Sequence, residues 1–535
     1  MTGAMPHLGT MYRRPLLVAT VVAVATTGAA YLFGPDAQAD KKSRTPAAAR
    51  AADATTSPKC PADAEFPKRQ LRGVWIATVR NIDWPSKTGL SPDRQRAEYI
   101  RILDQAVSRR LNAVFVQVRP AGDAFYKSDL EPWSEYLTGR PGGDPGWDPL
   151  PFLIDEAHKR GLEFHAWLNP YRAAHDANVK RLPANHPARQ HPDWVVKHED
   201  RIYYNPGLPA VREHVTKVIK DVVQRYDVDG VHFDDYFYPY PGGGATFDDA
   251  AAYKKYGKGR SLADWRRENV NTLIAQVDKT VHETKSYVKF GISPFGIWRN
   301  KAQDPTGSDT GGMSAYDAIY ADARAWIKAG TVDYILPQLY WSRSHRTASY
   351  SKLLPWWARE VRGTDVHLYI GQALYRVGAK DEAAWTKPGE LAAHLALNRR
   401  YPTVKGDVYF SAKQLSTNPL KALDLIAAEY YRRPALLPLM KQLGGKAPAP
   451  VTGLAAAGSE LKWRSSAGAR AYAVYRVDGK GGPCATASAR NLLAVVPATG
   501  AAEQTYRLRG NGTYYVTALD RLQNESAPVS VTVSG

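Results

Sequence analysis

Between residues 71 and 410, short apolar runs alternate with longer segments of helical pattern. The runs occupy 71–79, 113–119, 162–169, 230–236, 289–297, 333–341, 366–374 and 406–410; each has the length of a strand, and several read with period two. Helix starts lie between them: Ser91-Pro92 ahead of Ile100, Leu103 and Val107, Asp148-Pro149 ahead of a helix ending at Gly161, Ser261 with Asp264 ahead of Trp265, and Asn418-Pro419 ahead of Leu423. Ser, Asp or Asn takes the first free amides and Pro fits the first turn. Parallel strands need a helical crossover and eight such units can close on themselves, so the pattern predicts an α/β fold, a (β/α)8 TIM-type barrel over 68–437. A doubly wound open sheet would want a glycine-rich phosphate loop after the first strand, and 79–85 has none.

Beyond 437 the pattern changes. Residues 438–450 read as a Pro/Ala linker, and 451–535 hold short alternating runs with Gly-rich turns, the pattern of a small β-sandwich. Such a linker predicts few contacts between the two domains and a barrel that folds alone. At the other end, Arg13 and Arg14 precede an apolar run from Pro15 to Gly34 and the small-x-small site Ala37-Gln38-Ala39. Residues 1–39 therefore read as an export signal, Sec or twin-arginine, and the protein as secreted or wall-associated, with a membrane attachment only if the signal stays uncut. Residues 40–67, rich in Ala, Thr, Ser, Pro and Lys without periodicity, read as a flexible tether. Cys60 and Cys484 permit at most one disulfide and no cysteine metal cage.

Composition adds little to the fold and something to the partners. The chain is 44% hydrophobic and 23% charged, and its net charge of +19 is spread along it. Without a basic tail or a nucleic-acid-binding motif, that charge points to anionic cell-wall polymers held by diffuse attraction and not to nucleic acid.

Chemistry in such a barrel sits at the C-terminal ends of the strands. Read with period two, the inward series turns polar there: Gln117 and Arg119, His165, Trp167 and Asn169, His232 and Asp234, Ser293, then Gln338 and Tyr340. The opposite series, Val114, Val116 and Val118, is apolar. Polar groups converging on one mouth suit a polyhydroxylated ligand, since each buried hydroxyl needs a partner. Aromatic residues crowd the same end, among them Trp84, Tyr126, Trp133, Trp147, Tyr171, Tyr236, Tyr238, Trp298, Tyr340 and Trp341, and aromatic faces stack on sugar rings. The long loops 120–147 and 171–206 are expected to wall a cleft.

Several motifs carry a resemblance. Leu71-Arg-Gly-Val-Trp-Ile-Ala, Glu156-Ala-His-Lys-Arg-Gly-Leu-Glu-Phe-His-Ala-Trp-Leu-Asn-Pro-Tyr-Arg172, Gly230-Val-His-Phe-Asp-Asp-Tyr-Phe-Tyr-Pro239, Ile292-Ser-Pro-Phe-Gly-Ile-Trp-Arg299 and Asp333-Tyr-Ile-Leu-Pro-Gln-Leu-Tyr-Trp341 resemble the bacterial exported glycosyl-hydrolase-like family 10 proteins. The resemblance implies a (β/α)8 hydrolase and, for the best understood members, cleavage of peptidoglycan glycan strands stripped of their stem peptides. Trp463 and Gly512-Thr-Tyr-Tyr-Val-Thr-Ala-Leu-Asp520 resemble a fibronectin type III domain.

Glycoside hydrolysis needs an acid for the leaving oxygen and a second carboxylate. The candidates are Asp234 and Asp235, with Asp123 as a third; Asp234 faces inward, and Asp235 needs a bend to join it. The adjacent pair also resembles N-acetylhexosaminidase sites in which one acid protonates and the other orients the substrate's acetamido group. Repulsion between the two is expected to keep one protonated near neutral pH. No cofactor and no metal is expected. Thr246-Phe247-Asp248-Asp249 looks like the metal-binding start of a polysaccharide deacetylase, but its His-x-x-x-His partner is missing, His186 and His191 being five apart. A catalytically inactive glycan-binding protein is the alternative from another class.

Overall fold

The computed structural model describes residues 60–534 except Gly243, so the proposed export segment and nearly all of the tether lie outside the described residues. Eight parallel strands close a barrel: β1 Leu71–Ile76, β2 Ala113–Arg119, β3 Glu163–Leu168, β4 Gly230–Phe233, β5 Lys289–Ile292, β6 Tyr334–Ile335, β7 His367–Gln372 and β8 Val404–Tyr409, with β8 pairing back to β1. Each apolar run supplies one strand. Strands β5 and β6 stop short of their runs because Pro294 and Pro337 have no amide for the ladder.

Outward side chains such as Val114, Val116 and Val118 are fully buried beneath the helices, while Trp75, Phe115, Trp167, Tyr334 and Tyr369 fill the lumen. Rings of that size fit because glycine passes beneath them. A Cβ on Gly230 would stand 2.3 Å from His165 Nδ1, and one on Gly291 2.3 Å from the Tyr334 ring.

Three of the four expected helix starts form as expected. Ser91, Asp148 and Ser261 accept from the amides of Arg94, Leu150 and Asp264, heading α1 Pro92–Ser108, α2 Pro149–Lys159 and α3 Leu262–Thr284. Asn418 departs from the expectation. With φ at 39° it closes the short helix Lys413–Thr417, and its side chain then caps Leu423 N–H at 3.0 Å in the next helix, Ala422–Glu429.

One device recurs at the N-terminal end of the barrel. Ahead of β4, Asp229 accepts from Phe164 N–H of β3 at 2.9 Å and from His158 of α2 at 2.7 Å. Ahead of β6, Asp333 accepts from Phe290 N–H of β5 at 2.7 Å and from His282 of α3 at 3.1 Å. Each carboxylate ties two strands and a helix together. Burial favours a neutral imidazole at His282, yet Asp278 and Asp333 keep it protonated, with its pKa raised to about 10.

The C-terminal region is a sandwich of two antiparallel sheets, Thr452–Ala457, Glu460–Arg464 and Glu503–Arg507 against Leu492–Pro497, Ala471–Val477, Gly512–Leu519 and Val529–Val533. Trp463, Tyr472, Val474, Tyr514 and Val516 pack between them. It does not hang from a free linker. Leu437 and Met440, buried against Leu71, close the bottom of the barrel, and Leu436 joins Ala471, Ala473, Tyr475, Leu492 and Leu519 in one apolar cluster. Arg521 pairs with Asp227 and, at 3.4 Å, with Asp229, while Arg470 reaches Asp227 at 2.9 Å. The expectation of few contacts is therefore corrected: the first residues after 437 are apolar enough to pack before the Pro/Ala stretch begins.

Residues 60–67 are not a tether either. Cys60 is disulfide-bonded to Cys484, Asp63 accepts from Ser488 Oγ at 2.8 Å, and Phe66 lies under the guanidinium groups of Arg432 and Arg490. These contacts, with Asp227, Asp229 and Lys68, all lie at strand beginnings, so the sandwich docks at the end of the barrel opposite the mouth. Among the described residues no helix is long and apolar enough to cross a membrane.

Candidate active site

Strand β4 ends at Phe233 and the chain bends at Asp235, which brings both carboxylates to the mouth in spite of the alternation of the strand. They are loaded unequally. Asp234 accepts from Trp167 Nε1 at 3.2 Å and Asn169 Nδ2 at 2.9 Å on one oxygen, and from Tyr236 N–H at 3.0 Å on the other. Asp235 takes a side-chain bond from Gln338 Nε2 at 3.0 Å, and that amide is itself held by Ser293 O at 2.9 Å. Burial pushes both carboxyls up, Asp234 to about 6 and Asp235, which also feels the charge of Asp234, to about 7. Two carboxylates this close share the cost of ionising, and the one with fewer donors keeps the proton.

Two amides hold Asp234 in place. Gln117 Oε1 accepts from the backbone N–H groups of Thr78 and Val79 at 3.0 and 2.9 Å, so its Nε2 has to point at Asn169 Oδ1, 3.0 Å away. That in turn turns Asn169 Nδ2 toward Asp234. Gln117 and Asn169 are 1% and 0% exposed. Both position the carboxylate from behind it, where a substrate contact was expected.

Other expected substrate residues also lie deeper than the mouth. Trp75 Nε1–H can only donate, so His232 Nε2 accepts it at 3.2 Å, and the ring's other nitrogen donates to the Tyr334 hydroxyl at 3.2 Å. Tyr334 then donates to His165 Nδ1 at 3.0 Å, and His165 Nε2 faces Glu163, which pairs with Lys289. Burial and His165 together keep His232 neutral, its pKa well below the usual value. The Ser293 hydroxyl bonds to His232 at 3.0 Å. This hydrogen-bonded column runs down the lumen, so His165, His232 and Ser293 support the site from below.

Arg119 leaves the inward series because β2 is irregular between Gln117 and Arg119. Its guanidinium forks onto Glu131 with two bonds of 2.6 Å and donates to Asn169 O. Asp123, pushed up to about 6 by burial, bonds to the Ala121 amide at 3.0 Å and faces Ser134 and Glu131. The Tyr171 ring is fully buried, with its hydroxyl unpartnered.

Gln338, Tyr236, Tyr340 and Trp341 do reach the surface of the mouth. Two aromatic arcs leave from there. Tyr236, Tyr240, Phe295 and Trp341 stand edge to face in succession, at centroid distances of 5.5, 6.4 and 5.5 Å. Tyr340, Tyr375 and Phe410 form the second, and Tyr375 is 37% exposed. Sequence reading missed Tyr240, Phe295, Tyr375 and Phe410, although the loops after β5, β7 and β8 were visible as the places to look. It included instead Trp84 and Trp298, both core residues, whose indoles donate to Gln95 O and Asp322. Arg172, also missed, is the cation beside the pair: it lies 4.0 Å over the Tyr236 ring and opposes the upward shift of both carboxyls. Its place beside Tyr171 in the third-strand motif was the available signal.

The loop 171–206 folds into a small sheet of Arg172–Ala174, Val195–His198 and Arg201–Tyr204. The suspected metal-binding start is accounted for by an ion pair, Asp249 taking Arg266 through two bonds of 2.8 and 2.6 Å. Among the described residues no three His, Cys, Asp or Glu side chains stand close enough to hold a metal ion.

The model of the family described as glycosyl hydrolase-like 10 matches residues 70–387. The chain is 47% identical over 481 residues to the Bacillus subtilis (strain 168) protein named glycosyl hydrolase YngK, a match covering 86% of this chain and 92% of that one. It is 43% identical over 380 residues to glycosyl hydrolase DigH of Escherichia coli (strain K12), covering 67% and 86%. Among solved structures, the PgaB (BpsB) glycoside hydrolase domain from Bordetella bronchiseptica matches with a TM-score of 0.47 at 13% identity, over 68% of this chain and 99% of that one.

Proposed function

The chain belongs to the glycosyl hydrolase-like 10 family, and from that premise we propose that it is an exported glycosidase that cuts the N-acetylated glycan strands of a bacterial cell wall. The observation that carries the reading is the unequal loading of two side-by-side carboxylates. Asp235, with the higher pKa, is the acid; Asp234, held by Trp167, Asn169 and Tyr236, stays charged.

The reaction follows from these states. Asp235 gives its proton to the glycosidic oxygen as the bond to the anomeric carbon breaks, and the acetamido oxygen of the sugar closes onto that carbon while Asp234 accepts the acetamido N–H. Water then adds to the carbon, losing a proton to Asp235, and the ring opens back to the acetamide. The two aromatic arcs, carried by the loops after β4 to β8, support stacking of sugar rings beside the pair. Export is supported by the bond between Cys60 and Cys484, and the net charge of +19 suits retention near anionic wall polymers. In this reading the sandwich, resembling a fibronectin type III domain, is a docked accessory and carries no chemistry.

Two outcomes test the chemistry. The rate on soluble wall glycan follows a narrow bell in pH. It falls below about 6, where Asp234 gains a proton, and above about 7, where Asp235 loses one; a flat profile from about pH 5 to 9 sinks the assignment. Hydrolysis also survives exhaustive EDTA treatment without release of acetate, because the proton transfers need no metal. Activity lost to chelation and restored by zinc ions, or acetate released from uncut strands, is the result that would move the answer to a deacetylase.

A further inference from the structure

On the outside of the barrel two cavities of about 370 and 590 Å³ share Glu213 and Lys217, and so form one groove. Its upper part lies between Asp129, in the loop after β2, and the segment from Pro187 to Trp194, in the loop after β3. Its lower part runs between the helix Pro209–Arg225 and α3. Both loops follow strand ends, so the groove begins behind the wall of the mouth and leads down the outer face.

The upper part carries an aromatic platform. The exposed ring of His191 lies flat on the half-buried indole of Trp194, with centroids 4.0 Å apart and planes 13° from parallel. That platform is fixed from beneath. Trp194 N–H donates to His191 O at 3.0 Å, Trp194 O accepts from Asn205 N–H at 2.8 Å, and His214, 5.6 Å from the indole, bonds to the buried Glu131 at 3.0 Å. The polar groups around it are not used by the protein itself. Among the described residues no partner bonds to Trp194 Nε1 or to the side chains of Gln190, Asp129, Glu213 and Lys217.

Charge tells against a polyanion in this groove, although the chain as a whole carries +19. Asp129, Glu213 and Glu283 are balanced by Lys217, Lys220 and Lys279, and Lys279 pairs with Glu283. Gln190, Gln224, Gln276 and Thr280 add uncharged donors and acceptors along its length. A flat aromatic face followed by a trough of such groups suits a chain of sugars, whose C–H faces stack while hydroxyl and acetamido groups find partners. On the glycosidase reading above, which supplies the ligand, we propose that this groove is a second, non-catalytic glycan site that holds a wall glycan strand against the barrel while the mouth cuts. A polymer held at a second point is presented to the mouth at a raised local concentration, an advantage that short strands cannot share.

The test compares two changes in the full chain: Trp194→Ala, and Glu213→Ala with Lys217→Ala. The second pair are exposed helix positions at which alanine leaves the fold intact. Co-sedimentation with insoluble peptide-free wall glycan is measured in an Asp235→Asn background, so that nothing is cut, and turnover of short soluble strands is measured without that change. Each change weakens retention on the insoluble glycan about tenfold and leaves the rate on short strands at the parent's value. Parent-like retention in both, or a parent that does not sediment with the glycan, overturns the proposal. So does an equal fall in rate on short strands, which would place these residues in the mouth, or binding of inorganic polyphosphate that the same changes weaken, which would give the groove to a polyanion. Cutting by the unaltered protein is scored separately. Retention lost as expected without any cutting would remove the glycosidase reading and leave the groove standing, whereas cutting with parent-like retention would do the reverse.

Discussion

Asp235→Asn lowers the turnover of wall glycan by two decades or more, about the contribution expected of a positioned general acid. The substitution is close to isosteric, and the asparagine oxygen can still accept from Gln338, so the fold is retained. Asp234→Asn costs as much in rate for a different reason. Its two oxygens receive donors from Trp167 and Asn169 on one side and Tyr236 N–H on the other, so either orientation of an amide sets its NH₂ against a donor. The local cost is about 1–3 kcal/mol, and thermal unfolding is read beside the rate. An aryl glycoside with a very acidic phenol separates the roles, because such a leaving group departs with little protonation. It restores much of the rate to Asp235→Asn and little to Asp234→Asn. Wild-type turnover in either folded variant would remove the pair from the mechanism.

Much of this site was legible because a barrel strand reports its inward face directly. Gln117, Asn169, His232 and Asp234 were all assigned inward by alternation, and inward is where they lie. Alternation carries no information about height along the barrel axis. Hence His165 and His232, expected beside the ligand, belong to a column under Asp234, stacked with Phe115 and Tyr334. Nor does alternation survive an irregularity, which is why Arg119 turned out to face Glu131. Aromatic residues are ambiguous for another reason: Trp84 and Trp298 have the composition of a rim, but each has an acceptor for its indole N–H inside the protein and so can be buried. Arg172 was hidden because its partners, the Tyr236 ring and the field of the carboxylates, come from another strand.

The same limit applies to the far end of the barrel, and there it changes the expected result of a truncation. Removing residues from Pro448 onward would strip Arg470 and Arg521 from Asp227 and Asp229, and Glu525 from Lys68, a pair at 2.6 Å. It would also uncover Leu436, now 1% exposed, and leave Phe66 without its cover from Arg490. Uncovering the leucine alone costs about 2 kcal/mol, and losing the Cys60–Cys484 crosslink, which spans 424 residues of sequence, costs about 2–4 kcal/mol more. For a barrel of this size that total lowers the unfolding temperature by roughly 5–8 °C. Calorimetry of the truncated and full chains checks it. An unchanged unfolding temperature would mean the sandwich is a passenger. Because the docking face lies at the strand beginnings, any truncated protein that remains folded keeps the Asp234–Asp235 mouth, so its rate on short soluble strands is preserved even as its stability falls.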